Sequence, residues 1–158
     1  MLTINKSTAL IKNLNLRLEM LGEDTKPACD IKLIIHIIEG AEELLQGLSI
    51  GQLSLWDKEG DTQLSELAMR CRHAIEEARV TLRGRTEGSV VHAQTSINLD
   101  KAKIDKVSLN ALDGKGVEIT CTIKTTVNNS QVVKLLDLWI GGNVTIEAKE
   151  LGQVEIAA

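Results

Sequence analysis

Cysteine and histidine are the residue types in this chain with the most recognisable chemistry. Cys71 and His73 stand two positions apart, a spacing that suggests a pair of metal ligands. On a helix, however, such positions point away from each other. Cys29 and Cys121 lie far away in the chain, and no C-x-x-C pair or other zinc-binding spacing occurs. We therefore expect three reduced, buried cysteines, no metal site and no cofactor.

Acid–base catalysis would have to use His36 or His92. The alternating sequence around each histidine places it on the polar face of a strand, and neither belongs to a Ser-His-Asp or Cys-His arrangement. The Gly-Lys-Gly segment at 114–116 is too short for a phosphate-binding loop and predicts a turn instead. The sequence thus predicts a protein that is not an enzyme.

Arginine is the one charged residue type with a strongly uneven distribution. A guanidinium group suits carboxylates and phosphates better than an ammonium does. If the segment is helical, Arg72, Arg79 and Arg83 fall within about 40° of one another around the helix axis. This predicts a positive strip that binds a partner, although a solvated helix face is the alternative. The clustered arginines are Arg70, Arg72, Arg79, Arg83 and Arg85.

Trp56 is the second candidate contact residue. It follows Leu53 and Leu55 on the opposite face of a predicted strand and precedes a polar stretch. Tryptophan is enriched at binding hot spots, so we include Trp56 in the predicted partner-binding surface. The alternative is that a neighbouring helix covers it.

Composition excludes several function classes. The chain has 158 residues, and Trp56 and Trp139 are its only aromatic residues, which excludes a series of aromatic platforms for single-stranded nucleic acid. A net charge of −4 argues against a general duplex-binding protein. No apolar run reaches the length of a membrane span. We expect a soluble protein of a reducing compartment.

An internal repeat dominates the organisation of the chain. Residues Ile4–Leu18 align with Ile97–Ala111, with five identical positions of fifteen. Each half reads as strand, strand, helix, strand, and the apolar stripe of Thr62–Arg83 predicts a helix between the halves. The predicted fold is α+β, with two strand-strand-helix-strand pseudo-repeats around a connecting helix. One domain spans 1–158, divided into a first repeat at 1–60, the connecting helix at 61–88, a second repeat at 89–150 and a tail at 151–158.

Local patterns predict the elements of each half. A long turn is expected over Gly22–Ala28, and alternation predicts a strand beginning at Val117. Asn129 or Ser130 is expected to cap a helix that ends at the glycine pair 141–142. The predicted buried stripe of this helix contains Val132, Leu135, Leu136 and Trp139.

Two stretches resemble a group of uncharacterised proteins from tailed bacteriophages and prophages. They are residues 13–33, NLNLRLEMLGEDTKPACDIKL, and the later text KIDKVSL at 103–109 with DGKGVE at 113–118. The resemblance covers most of the chain and implies an accessory phage protein in the host cytoplasm. No functional residue is carried over from it.

These observations favour a non-catalytic phage accessory protein that binds a host protein or nucleoprotein complex, such as a CRISPR effector, and so inhibits a host defence system. One alternative is an accessory of DNA metabolism or recombination that binds nucleic acid through the arginine cluster. Another is a sponge for a nucleotide signal, with a pocket at the pseudo-two-fold axis. No membrane partner is expected, and exposed edge strands favour a homodimer.

Overall fold

The computed structural model describes residues 2–38, 68–70, 75–84, 95–112 and 116–151. These residues form seven strands and one helix, connected in the order strand, strand, strand, strand, strand, strand, helix, strand. The elements are β1 (Thr3–Leu21), β2 (Asp24–Ile37), β3 (Ala68–Arg70), β4 (Ile75–Gly84), β5 (Ser96–Leu112), β6 (Gly116–Thr126), α1 (Asn129–Gly141) and β7 (Asn143–Glu150).

The strands form one antiparallel sheet that closes on itself. Its order is β3-β5-β4-β7-β1-β2-β6, and an additional pairing between β5 and β6 completes the ring. Six strands therefore have a neighbour on each side for part of their length: β1, β2, β6, β5, β4 and β7. The short strand β3 pairs with β5 at Ser108–Asn110, farther along the edge of β5 that β4 also uses.

Alternate side chains of every ring strand fill the interior. This is the period-two pattern of a sheet with one buried face and one solvent-exposed face. The inward rows contain Ile31, Leu33 and Ile35 on β2, Val80 and Leu82 on β4, Ile97, Leu99 and Leu109 on β5, Ile119 and Ile123 on β6, and Val144 and Ile146 on β7. With so few aromatic residues, the core is built from branched aliphatic side chains.

Helix α1 packs against β1, β4, β5 and β7 through the buried residues Leu135 and Leu138. The cap is Asn128, one residue before the expected Asn129 or Ser130. Its side chain accepts a hydrogen bond from the backbone N–H of Gln131, and its own N–H donates to the side chain of Gln131. This reciprocal capping box satisfies two donors at the helix start. The Thr95 hydroxyl donates to the Asp137 carboxylate and ties the helix to the start of β5.

Two long hairpins make up most of the ring. The β1–β2 hairpin and the β5–β6 hairpin lie side by side through the pairing of β2 with β6. Their first strands have equivalent places, because Ile11 pairs with Leu33 and Ile104, 93 residues later than Ile11, pairs with Ile123. On their outer sides, β1 pairs with β7 and β5 pairs with β4.

The predicted α+β fold, with two strand-strand-helix-strand repeats around a connecting helix, is wrong. The described residues are mostly antiparallel strand, and α1 is their single helix. The strand beside β1 is β7, which reaches it through pairs such as Thr3 with Lys149. The helix expected at 41–48 and the strand expected at Leu53 and Leu55 lie outside the described residues.

The connecting helix expected at 61–88 is not formed, because the described residues of this segment belong to the strands β3 and β4. That prediction relied on Ile75, Ala78 and Leu82, which have helical spacing. In β4 a register irregularity between Ile75 and Ala78 lets both residues face inward across two exposed glutamates, and Val80 fills the next inward position. A bulge in a strand thus produced a spacing that resembles a helical stripe.

The long turn expected over Gly22–Ala28 is also shorter than predicted. Leu21 pairs with Asp24, so the turn consists of Gly22 and Glu23 alone. Gly22 has a φ of 67°, the left-handed conformation that tight two-residue hairpin turns favour. Pro27 is tolerated in β2 because β6 pairs with this strand only from Ala28 onwards.

Candidate functional site

Arg79 and Arg83 lie on the outer face of β4, and both are exposed. Because β4 is a strand, the helical strip of Arg72, Arg79 and Arg83 is not formed. Arg79 and Arg83 instead share a strand face, about 13 Å apart along β4. Arg79 Nε is 3.8 Å from Asp100 Oδ1, and the two side chains are 62% and 80% exposed. Such an exposed pair is weak, so Arg79 remains available to a ligand.

An open depression of about 420 Å³ lies on the outer surface where β1, β7 and β4 are adjacent. Its lining includes the cations Lys6, Arg79 and Lys149 and the carboxylate of Glu147. Thr81 also lines it and pairs with Glu147 across β4 and β7. Three cations against one carboxylate favour an anionic ligand here.

The remaining predicted contact residues are Arg70, Arg72, Arg85 and Trp56. Arg70 belongs to β3, but its side chain is not among those described. Arg72, Arg85 and Trp56 lie outside the described residues. The predicted partner-binding role of these four residues stays a prediction.

The cysteines of the described chain are buried structural residues. Cys29 and Cys121 are free thiols on inward positions of β2 and β6, as expected for Cys121. Burial, together with the nearby Asp30 carboxylate, raises the pKa of Cys29 to about 11, and burial raises that of Cys121 to about 12. A protonated buried thiol is a poor nucleophile. Cys71 lies outside the described residues.

His36 is an exposed residue on the outer face of β2, as predicted. Its Nε2 is 3.1 Å from Glu118 Oε2, and the two residues are direct neighbours across β2 and β6. His92 lies outside the described residues. Within the described ranges, no three His, Cys, Asp or Glu side chains come together as a metal site, and no helix is long and apolar enough to cross a membrane.

Helix α1 carries a second apolar stripe that faces solvent. Val133, Leu136 and Ile140 recur at i, i+3 and i+7 and are 67%, 38% and 78% exposed. Trp139 lies beside them and is also 38% exposed, so the expectation that Leu136 and Trp139 belong to the buried stripe is wrong. Together these four residues are called the α1 stripe below. The signal for it was present in the sequence, but two apolar stripes on one helix do not show which of them is packed.

The end of the β1–β2 hairpin forms a second unusual surface. Residues 12–27, called the hairpin arm below, extend past the pairings of β1 with β7 and of β2 with β6. Leu16, Leu18 and Met20 are 48%, 72% and 66% exposed on one face of the arm. On the opposite face, Arg17 forms ion pairs with Asp30 and Glu19.

Comparison of the chain with protein-family models, curated proteins and solved structures finds no match.

Proposed function

We propose that this protein is a non-catalytic accessory protein of a tailed bacteriophage that acts in the host cytoplasm by binding a protein. Its target is a component of a host defence system, such as a CRISPR effector. The phage origin is supported by the resemblance carried by residues 13–33 and 103–118. The binding role is supported by the exposed surfaces of the closed sheet and its helix.

The α1 stripe is the observation that carries this proposal. A helix that packs on a protein normally keeps one apolar side and leaves a polar side to water. In α1, Leu135 and Leu138 already provide the packed side, yet Val133, Leu136 and Ile140 leave the opposite side apolar as well. An apolar row at helical spacing is the surface that binds in a hydrophobic groove of another protein.

Trp139 supplies the anchor of this surface. Its side chain is partly exposed beside Leu136, and a large aromatic ring gains much from full burial in a partner. The capping box at Asn128 and the packing of Leu135 and Leu138 hold the helix in place before binding. A preformed helix avoids the entropic cost of folding on the partner.

The test compares a stripe variant with a matched control on the same helix. Val133→Asp with Ile140→Asp puts two charges into the α1 stripe, whereas Lys134→Asp puts one at an exposed position beside it. Each protein is produced in bacteria with an active CRISPR system, and the plating efficiency of a targeted phage is measured. The parent and the Lys134 variant should restore plating, and the stripe variant should not.

A pull-down with the purified effector completes the test. We expect the effector to bind the parent and the Lys134 variant and to lose most binding to the stripe variant. Equal plating and equal capture by the parent and the stripe variant, with both folded by circular dichroism, would contradict the proposed role of α1. Failure of the parent to change plating or to capture an effector would contradict the proposed target.

The cationic depression favours a second candidate function, the binding of nucleic acid or of a nucleotide. Lys6, Arg79 and Lys149 converge there from three neighbouring strands. Phosphate groups are the ligands that such a set of cations recognises without specific base contacts. This candidate uses a different surface from the α1 stripe, so the two can be tested separately.

A further inference from the structure

Along the hairpin arm, the outer edge of β1 has no partner strand among the described residues. β1 pairs with β7 only over Thr3–Leu10, whereas its pairing with β2 continues to Leu21. From residue 12 to residue 21, no strand of the described chain lies on the other edge of β1. An open edge presents unpaired backbone donors and acceptors and is a template for another strand.

The other hairpin shows what covers such an edge in this fold. Strand β3 pairs antiparallel with Ser108–Asn110 of β5. At the constant offset of 93 residues, this edge corresponds to Asn15–Arg17 of β1. The equivalent edge on β5 therefore takes an antiparallel strand, and the edge on β1 has the same geometry but no strand from the described chain.

The sequence of the arm is complementary to itself. Leu18 lies at the centre, with Arg17 on one side of it and Glu19 on the other. If two copies of β1 pair antiparallel about Leu18, Arg17 of each copy lies opposite Glu19 of the other. Opposite charges directly across two strands are favourable, and like charges there are unfavourable.

The apolar face of the arm fits the same register. Leu18 meets Leu18 of the second copy, and Leu16 meets Met20. These three side chains are among the most exposed large apolar residues of the described chain, and lateral contact with a second arm removes part of that surface from water. Arg17 contacts Asp30 through Nε and Glu19 of its own chain through Nη1, which leaves Nη2 to donate to a carboxylate across the interface.

We propose that the protein forms a homodimer in which the β1 edges of two hairpin arms pair antiparallel about Leu18, joining two sheets into one. The α1 stripe lies on a different element, so this interface is independent of the proposed partner-binding role. The interface also has a testable signature, because position 17 of each copy lies opposite position 19 of the other copy, in addition to the Arg17–Glu19 contact within each chain.

Charge reversal gives a sharp test by analytical ultracentrifugation over a concentration series. Arg17→Glu places two glutamates opposite two glutamates, and Glu19→Arg places arginines opposite arginines. Each single variant should therefore raise the dimer dissociation constant by about tenfold or more. The double variant R17E/E19R should restore dimerisation. An equimolar mixture of the two single variants should form heterodimers, because their arms are complementary only to each other.

Lys32→Glu is the matched control, since Lys32 is an exposed charge of β2 that pairs with Asn13 and lies away from both Arg17 and Glu19. It should leave the dimer unchanged. A parent protein that stays monomeric at every concentration overturns the proposal. A dimer that responds equally to the single and double variants overturns this interface as well. Heterodimer formation in the mixture also shows that both single variants are folded.

Discussion

Lys32 of β2 lies directly opposite Thr122 of β6, and the two long hairpins are arranged symmetrically about this pair. On one side of it Ile31 pairs with Ile123, and on the other side Leu33 pairs with Cys121. Leu33 and Ile123 have equivalent places in their hairpins. Exchanging the hairpins therefore exchanges these two flanking pairs, which is the property of a two-fold axis.

The same two-fold symmetry has a second centre on the opposite side of the ring, at the pair formed by Thr81 of β4 and Glu147 of β7. There Leu82 pairs with Ile146 and Val80 pairs with Ala148. Both Thr81 and Glu147 line the cationic depression. The depression thus lies where the two halves of the ring meet, and its excess of cations makes the outer face of β4 the surface to test for binding of anions.

Replacing Arg79 and Arg83 together with alanine should weaken any binding of duplex DNA. Two lost phosphate contacts should lower the slope of log affinity against log salt concentration by about 2. The fold should remain, because surface changes usually alter stability by about 0.5 kcal/mol or less each. Fluorescence anisotropy at several salt concentrations measures the slope.

The control for this prediction replaces Lys26 and Lys32, two exposed lysines of β2, with alanine. This variant loses the same net charge from another face. Equal losses of affinity in the two double variants would show a response to net charge alone. No measurable binding by the parent would exclude the nucleic-acid function.

Local pattern was enough to predict part of this fold. The β6 strand follows an uninterrupted alternation from Val117 to Ile123, and α1 ends at the predicted glycine pair, since Gly142 adopts a positive φ. Such signals depend on residues a few positions apart. The closure of the ring depends on pairs such as Thr3 with Lys149, and antiparallel pairing over that distance leaves no local pattern in the sequence.

Some features of the candidate surfaces could likewise be predicted from the sequence, and others could not. The arginine cluster was visible in the sequence, but the bulge near Ala78 hid the strand that carries Arg79 and Arg83. Leu16 and Leu18 look like ordinary inward residues of a strand. Their exposure follows from the length of the arm relative to β7, which only the assembled sheet reveals.

Lys106 offers a test of stored backbone strain. Its φ of 52° is the only left-handed value of a non-glycine residue in the described chain, and it lies at a register irregularity of β5. A side chain in this conformation costs on the order of 1 kcal/mol. Asp105 accepts a hydrogen bond from the Lys106 N–H, which glycine would keep.

Lys106→Gly should therefore raise the free energy of unfolding by up to about 1 kcal/mol, after the entropy that glycine adds to the unfolded chain is subtracted. Lys101→Gly, at an exposed position of the same strand, should lower it by about 0.5–1 kcal/mol. Urea denaturation measures both. Destabilisation of equal size in the two variants would show that Lys106 is not strained.

The buried thiols should make the protein less stable in alkali. The pKa of Cys29 is raised to about 11, chiefly by burial and then by Asp30, and burial raises that of Cys121 to about 12. In the unfolded chain a thiol ionises near pH 8.5. Above about pH 8.5 the unfolded state therefore loses protons that the folded state keeps, and the free energy of unfolding falls as pH rises towards 11.

By pH 11 the fall should be on the order of 3 kcal/mol for each thiol. The difference between the parent and the variant with Cys29→Ala and Cys121→Ala isolates this fall from lysine titration. The variant should be less stable at pH 7, because each substitution leaves a small void, and its curve of unfolding free energy against pH should decline less between pH 8.5 and 11.

Mass spectrometry after alkylation at pH 8 provides an independent measurement of thiol burial. Peptides that contain Cys29 or Cys121 should be unmodified in the native protein and modified after denaturation. Parallel stability curves, together with rapid native alkylation at these two positions, would mean that neither thiol is held inside the ring.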